Sequence, residues 1–209
     1  MLNQQFKQNG NSLVELMISI TLGFASMTAM SSLVGHGIAL NSQLMTKSRL
    51  NAEVNAVLAV ISQDLGRAGY QAFTKELLDD SNTFINPFHK SVALSEYENE
   101  SVNSCITFAY DRNKNGKLDV INTNENYGYR LRDNAIEMRI DGLGCDKGGW
   151  QDLTDSSLIK INTLSFESYK IAHNNIEQTR VTIQLEAELL SEPDLSRSAN
   201  LSVSVKNYD

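Results

Sequence analysis

Between Glu15 and Lys47 the chain carries no Asp, Glu, Lys or Arg, and residues 16–46 form an uncharged run of 31. Its apolar part, residues 16–40, is 25 residues long. A helix rises about 1.5 Å per residue, so this stretch is long enough for a hydrocarbon core of roughly 30 Å. Leu, Ile, Met, Phe and Val alternate with small residues: Ser19, Thr21, Ser26, Thr28 and the glycines Gly23, Gly35 and Gly37. Small residues on an apolar helix permit close approach of a second helix. On hydropathy alone the run equally fits a plain transmembrane anchor or an uncleaved signal peptide.

Past residue 40 the pattern becomes amphipathic instead of stopping. Leu50, Val54, Val57, Leu58, Ile61 and Leu65 recur at spacings of three and four, while Lys47, Arg49, Glu53, Gln63 and Asp64 take the other positions. Gly66 and Gly69 supply a stop signal. One helix over about 11–64 is predicted, its second half packed on a globular head.

From residue 103 the period switches to two. Strands are predicted at 104–110, 126–132, 135–140, 159–171, 179–190 and 200–207. Val181, Ile183 and Leu185 alternate with polar neighbours, the mark of an antiparallel sheet with one wet face. Asp133-Asn134 reads as a tight hairpin turn. Residues 71–102 read as a long irregular connection. A helix followed by strands predicts an α+β fold.

The residues ahead of the apolar run narrow the reading. A secretory signal places its small-residue cleavage site after the apolar region; here Gly10 precedes it, behind a polar leader whose one charge is Lys7. Glu15 stands at the edge of the apolar segment, where a carboxylate costs a few kcal/mol unless it is paired. Gly10-Asn11-Ser12-Leu13-Val14-Glu15-Leu16 resembles the class III signal of type IV prepilins. The resemblance implies the pilin fold, with the apolar first half of the helix protruding and the second half packed on an antiparallel sheet. It implies cleavage between Gly10 and Asn11 by a prepilin peptidase, then N-methylation of Asn11. It also implies that Glu15 pairs with the terminal amine of a neighbouring subunit. On this reading 1–10 is a leader peptide, 11–40 a transmembrane and assembly helix, and 41–209 a periplasmic head.

Two departures qualify the match. Asn11 stands where Phe or Met is usual. The helix also lacks the kinking proline common in major pilins, since the chain's prolines are Pro87 and Pro193. The segment Ile61-Ser62-Gln63-Asp64-Leu65-Gly66-Arg67-Ala68-Gly69-Tyr70 is similar to the helix ending of PilW-type minor pilins and of GspJ-type minor pseudopilins. Together these imply a minor, initiating or tip-associated pilin of a type IV pilus. A type II secretion pseudopilin and a tip adhesin are the rivals. The implied partners are other minor and major pilins, the prepilin peptidase, the inner-membrane assembly platform, and the bilayer before assembly.

Composition agrees with a core-forming chain, with 41% hydrophobic residues and a formal net charge of −7. Without Lys7 the chain holds 17 Lys and Arg against 25 Asp and Glu, so direct DNA binding is not expected. Cys105 and Cys145, 40 residues apart on the side implied to be periplasmic, are expected to form a disulfide rather than remain two free thiols. Such a bridge contributes about 3–4 kcal/mol in the loop-entropy treatment. No zinc spacing occurs.

Asp111, Asn113, Asn115, Gly116, Lys117 and Asp119 follow the opening of an EF-hand-type loop, with oxygen ligands at positions one, three and five, a carbonyl at seven and a carboxylate at nine. A structural Ca²⁺ is the one cofactor this suggests. Position twelve is Asn122 rather than Glu, although Glu125 lies three residues further on. Asn115-Gly116 is equally a plain turn. His36, His89 and His173 lie in no recognisable catalytic arrangement, so no enzymatic activity is expected.

Overall fold

The computed structural model describes residues 12–72, 86–89, 91–173 and 176–205. The chain divides into two compact units, 1–47 and 48–209, and helix α1 (Leu13–Leu65) contributes to both.

Among the described residues of the first unit, α1 has no buried apolar side chain. Leu13, Met30 and Leu33 are each more than 70% exposed, although the segment's composition is that of a core. In the second unit the predicted stripe is the one that packs: Leu50, Val54, Val57, Leu58, Ile61 and Leu65 are all buried, and Ile61 and Leu65 completely.

The strands β1 (Ala93–Ser95), β2 (Cys105–Ala109), β3 (Asn126–Arg132), β4 (Ala135–Met138) and β5 (Gln151–Asp152) form one antiparallel sheet in chain order. A second antiparallel sheet holds β6 (Ile159–His173), β7 (Ile176–Leu189) and β8 (Glu192–Val205). The helix stripe, Ile106, Phe108, Leu131 and Ile136 of the first sheet, and Leu164, Phe166 and Ile183 of the second share one hydrophobic core. The architecture is therefore α+β, with a long N-terminal helix packed on antiparallel sheets.

Several expected boundaries move, each for a local reason. β1 and β5 are three and two residues long, too short to carry a period. β4 stops at Met138 because Asp141 and Gly142 turn with φ of 50° and 67°. β8 begins at Glu192 instead of residue 200, since its hairpin with β7 extends past a bulge at Glu188/Leu189. Pro193 is tolerated near the start of this edge strand, where its missing N–H breaks no ladder. The Asp133-Asn134 turn is as expected. Both residues have positive φ (50° and 62°), and Arg132 pairs directly with Ala135 across it.

Candidate functional site

Glu15 lies in the first turn of α1, exposed and near the positive end of the helix dipole. Gly10 and Asn11, the expected processing site, lie outside the described residues. The hydroxyls that interrupt the apolar run fold back on their own helix. Ser19, Thr21, Ser26 and Thr28 donate to the carbonyls of Glu15, Ile18, Gly23 and Ala25 at 2.8–2.9 Å. Their polarity is thus satisfied internally, which lets the segment enter an apolar medium at little cost. A Cβ at Gly23, Gly35 or Gly37 would meet nothing within 4 Å, so these positions offer open, close-approach surface.

The segment ending the helix is a structural seam. Leu65 and Ala68 are fully buried. Gly69, at φ 77°, donates its N–H to the Ala109 carbonyl (2.9 Å), and Asp111 N–H donates to the Tyr70 carbonyl (2.9 Å). The Asp64 carboxylate accepts the Tyr129 hydroxyl at 2.6 Å and lies 3.5 Å from the Tyr110 hydroxyl. Tyr110 stacks on Tyr127 with centroids 4.2 Å apart, and the Arg67 guanidinium lies 5.5 Å from the Tyr110 ring centre. The Asp-Leu-Gly-Arg-Ala-Gly-Tyr run therefore bolts the helix end onto β2 and β3.

Burial, then the Asp64 carboxylate, pushes the Tyr110 and Tyr129 hydroxyls above the ordinary tyrosine range, and burial also raises Tyr127. Raised folded-state values mean that the native form holds protons the unfolded chain releases. This stabilisation is complete below about pH 10 and is lost as pH rises past it. Urea midpoints of the detergent-solubilised chain should therefore fall between pH 9 and pH 11; a flat profile would contradict the seam.

The disulfide expectation is met: Cys105 and Cys145 are bonded, with Cα atoms 6.2 Å apart. Beside it lies a group that sequence reading missed. Arg130, paired with Cys105 across β2 and β3, is fully buried. Its Nε donates to Glu137 Oε2 (2.6 Å), and its Nη1 to the carbonyls of Cys145 (2.7 Å) and Lys147 (2.6 Å). The guanidinium lies 4.6 Å from the Tyr97 ring centre and 4.5 Å from that of Trp150. Arg139 holds the carbonyls of Leu143 and Gly142 at 2.6 Å, and Trp150 Nε1 that of Gly144 at 3.2 Å. Gly142, Leu143, Gly144, Cys145 and Lys147 thus turn their carbonyls toward three side-chain donors. The signal was available, because a two-residue turn at 133–134 sets Arg130 opposite Glu137.

The 111–125 loop is brought together, but by carboxylate–backbone bonds. Buried Asp111 accepts the N–H groups of Asn115, Gly116 and Ala72 at 2.9–3.1 Å. Fully buried Glu125 accepts those of Arg112, Asn113 and Asp119 at 2.8–3.3 Å. Asn113 and Asn115 turn their Nδ2 groups onto Asp119 Oδ2, at 2.6 and 2.7 Å. A calcium ion would instead need the amide oxygens directed there. Among the described residues, no group of three or more His, Cys, Asp or Glu side chains is gathered for a metal. Lys117 is exposed, and its N–H donates to Asn115 Oδ1 at 2.8 Å.

An apolar helix half that is exposed among the described residues and opens on a carboxylate, continuous with a helix half bolted to antiparallel sheets, defines a pilin-like chain. Comparison with known proteins gives the family. The model described as prepilin peptidase-dependent protein B matches residues 43–205, and the chain belongs to that family. It is similar to the Escherichia coli K12 protein of the same description, at 22% identity over 204 residues, covering 94% of this chain and 96% of that one. It is also similar to a Haemophilus influenzae protein described as uncharacterized, at 25% identity over 196 residues, covering 76% and 80%. No solved structure matches.

Proposed function

We propose that this chain is a minor, initiating pilin of PilW type, processed between Gly10 and Asn11, methylated at Asn11, and held in the inner membrane by α1 until it enters a fibre. The observation that carries this reading is the uncharged helix half of residues 16–46, exposed throughout except for a half-buried Thr46, with Glu15 at its entrance. A helix of this composition belongs in lipid or among other helices. In either surrounding Glu15 needs a cation, which the processed amine of a neighbouring pilin supplies. The family's dependence on a prepilin peptidase supports the same route. The head, net acidic and fastened by a disulfide, faces the periplasm and then the fibre surface. Its partners are other minor and major pilins and the assembly platform; it has no catalytic role.

Deletion with complementation tests the assignment. Loss of surface fibres, twitching or DNA uptake is expected, with exoprotein secretion intact. The opposite pattern would assign the chain to a type II secretion pseudopilus.

We further propose that Asp111 and Glu125, rather than calcium, order the 111–125 loop. Each carboxylate gathers three N–H groups, and hydrogen bonds to a charged partner contribute about 1.5–3 kcal/mol each. Asp111→Ala or Glu125→Ala should lower stability by at least about 2 kcal/mol in urea titration. Millimolar Ca²⁺ should leave the melting temperature where EDTA leaves it; a rise with Ca²⁺ restores the metal reading.

A further inference from the structure

The second sheet ends on an edge that is unguarded along half its length. Among the described residues no strand pairs with the outer side of β8. Exposed edges are normally blunted by charge, proline or bulges, because their free N–H and C=O groups template further pairing. In β8 those devices gather at the start: Glu192, Pro193, Asp194 and Arg197, beside the bulge at Glu188/Leu189. From Ser198 to Val205 the sequence Ser-Ala-Asn-Leu-Ser-Val-Ser-Val has neither charge nor proline.

Core coverage also runs out at this strand. Val181, Ile183 and Leu185 of β7 are 0–2% exposed, but their register partners Val203, Leu201 and Ala199 are only half-buried. One more strand with apolar residues on the same face would finish covering them.

We propose that the occupant is β8 of a second copy of this chain, paired antiparallel about a two-fold axis at Leu201. In that register Leu201 faces Leu201 and Ala199 faces Val203 on the apolar side, while Asn200 faces Ser202 and Ser198 faces Ser204 on the polar side. Like meets like at each of these pairs across 198–204, as cross-strand packing favours, and where Arg197 falls opposite Val205 no charge opposes a like charge. Two acidic heads would meet where neither carries charge. The two three-stranded sheets become one of six, an isologous closed dimer. This surface is independent of the pilus assignment and of α1.

Disulfide trapping tests it on the full chain in detergent micelles. Directly opposed residues on paired strands lie within disulfide range. Leu201→Cys, mildly oxidised, should run mainly as a covalent dimer on a non-reducing gel. Ile121→Cys, exposed on the 111–125 loop, controls for helix-driven encounters and should remain monomeric. Where Leu201→Cys disturbs folding, mixed Asn200→Cys and Ser202→Cys chains, altered only on the exposed face, should cross-link to each other. Dimer yields no greater than the Ile121→Cys control overturn the proposal. Cross-linking in native membranes to a different protein alone also overturns it.

Discussion

Arg130→Ala should unfold the head under conditions in which the native chain is stable, with a loss of about 3–5 kcal/mol, the cost of depriving a buried charge of its closest partner. Glu137 would keep only Arg132, whose Nη1 lies 3.6 Å from its Oε1, and the carbonyls of Cys145 and Lys147 would lose their donor. The contacts of the guanidinium with the Tyr97 and Trp150 rings add about 1–2 kcal/mol that an ammonium in another position does not recover. Arg130→Lys should therefore rescue little, because Lys lacks the planar fork. Trp150 is the one tryptophan, so its fluorescence reports this cage directly. The variant should show red-shifted emission and an earlier urea midpoint even with the Cys105–Cys145 bond intact. A midpoint unchanged within about 0.5 kcal/mol, the range of an ordinary surface substitution, would show that the disulfide alone holds the loop.

Glu15→Ala should leave the protein in the membrane at normal level but keep it out of fibres. Among the described residues the carboxylate makes no side-chain bond that could account for its place at the edge of an apolar segment. Its value, on the proposed function, lies between subunits. Losing one partner of a buried ion pair costs about 3–5 kcal/mol, on the order of a hundredfold or more in an assembly equilibrium. Quantifying the chain in sheared pili against that in membranes reads this ratio. Glu15→Gln separates charge from shape and should fail almost as badly. Wild-type incorporation of both variants would remove the pairing role.

The helix was legible because its two halves have different reasons to exist, and both leave patterns. Lack of charge marks 16–46, and a three–four spacing marks 50–65; the six stripe residues are the six that the structure buries. The hairpins were legible where alternation was long, as in β7, and where the turn residues were decisive, as at Asp133-Asn134. The split into two sheets was not, because strand order depends on non-local pairing that alternation does not encode. Phe166 N–H donates to the Asn103 carbonyl (3.0 Å) and Ile161 N–H to that of Asn134 (2.9 Å), and neither link leaves a local mark. The Asp64 seam and the Arg130 cage were missed for a related reason. A charged residue in a sequence reads as solvated until the chain's other half is seen to bury it. At the 111–125 loop the motif placed the right residues in one loop, but Glu125, outside the ligand spacing, holds it together as much as Asp111 does.

The most direct test of the account is the intact mass of the protein isolated from its native membrane, with and without an active prepilin peptidase. With the enzyme, the mass should lack residues 1–10 and begin at Asn11 carrying one added methyl group; without it, the full chain from Met1 should remain. A full-length chain in both backgrounds, or one cut after the apolar segment, would contradict the central claim that this helix is released from a leader to enter a polymer.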